Sequence, residues 1–238
     1  CGYPQRARQW HKESVSRALA AEHAHSTAYT LFWNAITAWL LRDRQTVTQY
    51  IAEFQAVCDK YKLPFWEALG IAFQAAVLGW EGRPEEGLEK FNQGTEARAN
   101  NQIIFLLPGF LLMEADLLID LGRTEDALTT IAEGLDVSSA TQEHWCDPEL
   151  HRVRGELYAS LSRDGEAEAA YSDALTIARD QKAKWWELRA AVSLARHWQG
   201  QSKTAEAREL LGPIYNWFTE GFDTKDLQDA KALLEGLG

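Results

Sequence analysis

The feature that most constrains this chain is a repeat that keeps one register at forty residues. Stepping by forty from Ala167 reaches Ala7, Val47, Gly87, Ala127 and Ala207, each just after a turn-like segment and just inside a helical pattern. Five positions before these anchors stand Gly2, Arg42, Gly82, Gly122, Ser162 and Ser202, where the preceding helix should end. Four positions after them come His11, Ile51, Phe91, Ile131, Tyr171 and Leu211, and eighteen after them His25, Phe65, Phe105, Trp145 and Trp185. A spacing of this length is the mark of stacked supersecondary units, each covering the apolar face its neighbour leaves open.

The unit is clearest between Pro148 and Ile177. Leu150, Val153, Leu157 and Leu161 line one side of a first amphipathic helix, and Ala167, Ala170, Tyr171, Ala174 and Leu175 one side of a second. Small residues at Gly155, Ala167 and Ala174 sit where two helices would touch, with Tyr158 and Tyr171 as bulk, which is the tetratricopeptide pattern. Forty residues exceeds the tetratricopeptide length of about 34 and touches the HEAT and armadillo range. A lengthened tetratricopeptide-like hairpin is therefore the reading, with HEAT-like packing as its alternative. The fold expected is all-α, a tetratricopeptide-like solenoid of about 40-residue hairpins over a single domain, 1–238, closed by a capping helix over 223–238.

Gly87, Gly94 and Gly134 fall inside expected helices, where each costs about 1 kcal/mol against Ala. Close approach of a neighbouring helix would explain them. Thr124, Asp164 and Thr204 share a column that suits helix caps. The most apolar stretch, Ile103 to Gly122, is broken by Pro108, Gly109, Glu114, Asp116 and Asp120, so it reads as a buried repeat helix and not as a membrane span.

A formal charge of −11 and no basic run longer than two residues argue against a nucleic-acid partner. Three widely separated cysteines, Cys1, Cys58 and Cys146, give no disulfide framework, and a reducing cytoplasm is expected. Residue 1 is Cys and its surroundings match the middle of a repeat, so the chain is expected to be part of a longer protein. GQSKT at Gly200 to Thr204 lacks phosphate-loop spacing, and no catalytic or dinucleotide motif is present. His144, Cys146, Asp147 and His151 are chemically able to bind zinc, but without a second ligand pair no metal or cofactor is expected.

Aligning the repeats puts Tyr29, Phe32, Ile36 and Trp39, then Leu69, then Leu112 and Asp116, then Glu149, Arg152 and Glu156, then Arg189 and Arg196 at equivalent positions of successive first helices. In tetratricopeptide arrays that face lines the groove. An apolar end would grade into a charged one, suited to a protein, a peptide or a small effector. The competing reading makes the charges exposed ion pairs and the aromatics core.

PELHRVRGELY at Pro148 to Tyr158, WWELRAAVSLARHW at Trp185 to Trp198 and the stretch Ala207 to Leu237 resemble the carboxy-terminal tetratricopeptide-like region of bacterial multidomain signalling proteins. Those are predicted ATPases of the class III adenylate or guanylate cyclase type. The resemblance implies a regulatory, non-catalytic array with cyclase and ATPase domains upstream. It carries no catalytic residue onto this chain. A structural scaffold that pairs two copies is the alternative function.

Overall fold

The computed structural model describes residues 2–238. Among them run twelve α-helices: α1 Pro4–Ala20, α2 Ala24–Leu40, α3 Arg44–Tyr61, α4 Pro64–Trp80, α5 Pro84–Asn100, α6 Leu107–Asp120, α7 Thr124–Thr141, α8 Asp147–Ser160, α9 Asp164–Asp180, α10 Lys184–Gly200, α11 Thr204–Asn216 and α12 Lys225–Gly236. No helix among the described residues is long and apolar enough to cross a membrane. The described residues fall into two compact units, one of Gln5–Thr130 and one of Ile131–Gly238 together with residues 2–4.

The turns explain the period. Glu22, Arg42, Lys62, Gly82, Gln102, Gly122, Gln142, Ser162, Lys182 and Ser202, spaced by twenty, all have positive φ, between 50° and 80°. Each ends a helix in the left-handed conformation. The amide after it reaches back five residues, as from Asp43 to the Ala38 carbonyl at 3.0 Å, Arg163 to Tyr158 at 2.9 Å and Lys203 to Trp198 at 2.9 Å. The left-handed amide itself bonds three residues back, as Ser162 does to Ala159 at 3.0 Å. This pair of bonds is the Schellman motif, and it satisfies carbonyls that the helix end leaves without partners. One helix plus one such turn takes twenty residues, and a hairpin forty.

Within the unit Gln5–Thr130, α2 packs on α3 and α4 on α5, while α4 also meets α3 and α6. Within the other, α8 packs on α9 and α10 on α11, and α10 meets α8, α9 and α12. A first helix thus has neighbours on several sides, and a second helix mainly its own partner. Burial follows: every residue of α10 from Trp185 to Ala195 is buried, whereas α9 buries one stripe, Ala167, Ala170, Tyr171, Ala174, Leu175 and Ala178.

Small residues set the helix spacing as expected. A Cβ at Gly87 would stand 2.8 Å from the Ala75 carbonyl oxygen, so α4 and α5 are in backbone contact there. At Gly155 it would stand 2.5 Å from the Tyr171 ring.

Local chemistry sets the helix starts, and two of the expected ones shift. α2 begins at Ala24 because the His23 ring accepts the Ser26 amide at 3.3 Å and caps the helix. α6 begins only at Leu107: Pro108 has no amide hydrogen and is tolerated in a first turn, so the helix opens around it after a left-handed Leu106. Asp164 and Thr204 are first helical residues, with Arg163 and Lys203 at the cap positions and no side-chain cap bond.

Candidate interaction surfaces

In the unit Gln5–Thr130 the starts of α2, α4 and α6 bring aromatic rings into one row. Tyr29 lies 6.1 Å from Trp33 and 6.0 Å from Trp66, Trp66 lies 5.3 Å from Phe65, and Phe65 stacks on Phe105 at 6.1 Å and 26°. Tyr29 is 55% exposed, Phe65 40% and Trp33 37%, while Trp66 and Phe105 are half-buried. The Trp66 indole donates to the His25 ring at 3.3 Å. The same device recurs 120 residues on in the other unit, where Trp186 donates to the Trp145 carbonyl at 3.1 Å. Each indole reaches back 41 residues, so the repeat fixes the ring beside the preceding hairpin.

Phe32 lies beneath this row with no exposed surface, against Phe54, Trp66 and Phe73 at 5.9, 5.9 and 5.6 Å. Ile36, Leu69 and Leu112 are buried as well. These four, expected to line a groove, are core, because a first helix is enclosed on more sides than one repeat alignment reveals. Of the expected apolar positions Tyr29 is exposed and Trp39 half-buried, and Asp116 is exposed. Alternation at helical spacing cannot tell a floor from a face, which is why Trp33, Phe65, Trp66 and Phe105 were missed as a surface. The aromatic column at Phe65 and Phe105 was the available signal.

The charged positions form a connected network in the other unit. Arg152 donates twice to Glu149, from Nε and Nη2 at 2.9 Å each. Arg189 donates to Glu149 at 3.1 Å and, through Nε, to Asp226 at 2.9 Å, with its guanidinium 5.2 Å from the Trp186 ring. Arg152 also pairs with Glu156, which accepts from Ser193 at 2.9 Å. Burial would push the Glu149 carboxyl up, but Arg152 and Arg189 outweigh it and hold it down at about 2. Burial opposes the charge on Arg152, yet Glu149 and Glu156 raise its pKa well above the usual range.

Glu149, Arg152 and Arg189 are therefore not exposed ion pairs: they lie largely buried, with their hydrogen bonds turned on one another. The network ties α8 and α10 to α12. Asp226 was missed as a member. It stands 37 residues after Arg189, one turn before the forty-residue position that Asp229 occupies. Arg196 is 51% exposed, with Asp229 at 4.0 Å, and Glu156 is exposed at the network's edge.

Ser138, His144 and Asp147 also come together, but not as a hydrolytic triad. Ser138 Oγ at 3.1 Å and Asp147 Oδ2 at 2.8 Å both approach the same ring nitrogen, Nδ1 of His144. A relay needs the acid and the nucleophile on opposite ring nitrogens. Ser138 is buried and donates to Asp147, fixing the turn before α8. Burial pushes the Cys146 thiol well up and the Cys58 thiol up to about 12, away from the thiolate a nucleophile requires. Among the described residues no group of three or more His, Cys, Asp or Glu is arranged to hold a metal ion.

No family model matches the chain. An uncharacterised protein of Rhizobium meliloti (strain 1021) is 26% identical over 206 residues, 83% of this chain and 18% of that protein. Among solved structures, the signal transduction ATPase with numerous domains from Pyrococcus horikoshii, which has a tetratricopeptide repeat sensor, matches 90% of the chain and 33% of its own length, with a TM-score of 0.60 and 12% identity. A kinesin light chain protein of Podosopora anserina with nearly identical tetratricopeptide-like repeats matches 90% of the chain and 98% of its own length, with a TM-score of 0.51 and 15% identity. The fold is tetratricopeptide-like. The chain spans under a fifth of the Rhizobium relative and a third of the Pyrococcus protein.

Proposed function

We propose that this tetratricopeptide-like chain is a non-catalytic interaction and sensor module of a larger cytoplasmic bacterial signalling protein. The observation that carries the reading is the aromatic row of Tyr29, Trp33, Phe65, Trp66 and Phe105. Rings that are large, rigid and partly exposed give contact area at low entropic cost, which is why aromatics dominate binding hot spots. A protein or peptide partner, or a small effector, docks there. Its binding favours one arrangement of the array and so biases ATPase and cyclase domains elsewhere in the parent chain. The resemblance to cyclase-type ATPases and the structural likeness to a signalling ATPase's sensor support that context.

The test uses the whole parent protein and this chain alone. A thermal-shift screen of peptides, metabolites and nucleotides identifies binders, which raise Tm by mass action. Tyr29→Ala with Phe65→Ala should abolish the shift by the best binder and uncouple it from nucleotide turnover in the parent. Light scattering decides the scaffold alternative. A concentration-dependent dimer that the same two substitutions dissolve, with no binder found, would replace sensing by self-association.

A further inference from the structure

In the unit Ile131–Gly238, α9 and α11 each pack against α10, which leaves a groove of about 510 Å³ whose long wall is α11. Along that wall Glu206, Glu209, Leu210, Pro213 and Trp217 form one helical stripe, and Trp198 contributes from the far end of α10. We propose that this groove is a second binding site, for an extended peptide segment with a Lys or Arg followed by apolar residues. It is a different surface from the aromatic row and stands independently of the function proposed above.

The charges decide the polarity of the occupant. Arg179 and Lys184 enter the groove but both are engaged by buried Glu187, at 3.1 and 2.6 Å. Glu206 and Glu209 are exposed and form no ion pair among the described residues. The uncompensated charge of the site is thus a pair of carboxylates three residues apart on one helix face, complementary to a cationic side chain. A phosphate or an acidic segment would be repelled at that end.

Pro213 lies inside α11 and has no amide hydrogen, so the Glu209 carbonyl, four residues back, loses its α-helical donor. Beyond it Leu210, Pro213 and Trp217 give an apolar floor, with Pro213 and Trp217 exposed. Glu206 and Trp217 are eleven positions apart, roughly 16 Å along a helix, which is the reach of about five extended residues.

The experiment is fluorescence anisotropy with a labelled, end-blocked Gly-Lys-Leu-Leu-Leu-Gly peptide, its Glu-for-Lys counterpart, and spermine as competitor. The Lys peptide should bind at least tenfold tighter than the Glu peptide, and its affinity should fall as salt rises from 20 to 200 mM, roughly. Glu206→Lys with Glu209→Lys should reverse that preference, and Trp217→Ala should weaken both peptides, with the far-ultraviolet circular dichroism spectrum unchanged for the charge variants, although Glu206 is a first-turn acid of α11 and its replacement lowers Tm slightly. Equal affinity for the two peptides, absence of binding by either, or displacement by spermine at the peptide's own concentration would overturn the proposal. Loss of the preference in Tyr29→Ala with Phe65→Ala would also overturn it, by placing the peptide on the other surface.

Discussion

A left-handed backbone is free to glycine and costs other residues about 1 kcal/mol, so the turn column contains its own controls. Ser162 and Ser202 occupy the conformation that Gly82 and Gly122 adopt without strain. Ser162→Gly is expected to raise stability by up to about 1 kcal/mol, and Gly122→Ala to lower it by a similar amount, read from urea denaturation at constant m-value. Gly155→Ala belongs to another mechanism. Its methyl would meet the buried Tyr171 ring at 2.5 Å, and overpacking of this kind costs about 1–3 kcal/mol. The paired variant Gly155→Ala with Tyr171→Leu should recover part of the loss, because the obstruction is then removed. These positions were legible in the sequence, since a column of small or turn-forming residues repeats whatever the tertiary context. The floor of the aromatic row was not: Phe32 and Tyr29 stand three residues apart on one helix, and only the neighbouring α4, through Trp66 and Phe73, decides which of them is covered.

At the scale of the helix, the interior charges act on α12. Arg189 is shared between Glu149 on α8 and Asp226 on α12, so removing either acid leaves buried guanidinium charge underpaired. Glu149→Gln should destabilise the chain by about 3–5 kcal/mol, as loss of one partner of a buried pair does. The pH dependence has a definite sign. Glu149 has a folded-state pKa depressed to about 2 from 4.5, so its contribution is whole above pH 4.5 and is lost as pH falls through that range toward 2. A denaturation series from pH 6 to pH 3 should show stability falling more steeply for the parent than for Glu149→Gln. The pattern ELHRVRGE announced charge at regular spacing. It did not announce burial, because that comes from the capping helix closing over α10, and a contact 37 residues distant does not follow the forty-residue register.

For the molecule as a whole, repetition makes stability a sum of local terms: each hairpin meets chiefly its neighbours, so damage should stay near where it is made. Gly155→Ala strikes the α8–α9 contact inside the unit Ile131–Gly238. Hydrogen exchange followed by mass spectrometry should therefore show loss of protection in α8, α9 and α10, while peptides from α2 to α5 keep the exchange rates of the parent chain. Tyr29→Ala with Phe65→Ala supplies the converse control. Both rings are partly exposed, so their removal should leave the α8–α10 amides untouched and change the binding readout instead. If Gly155→Ala raised exchange equally throughout the chain, the two units would be unfolding as one cooperative body, and the nearest-neighbour account of this solenoid would be wrong.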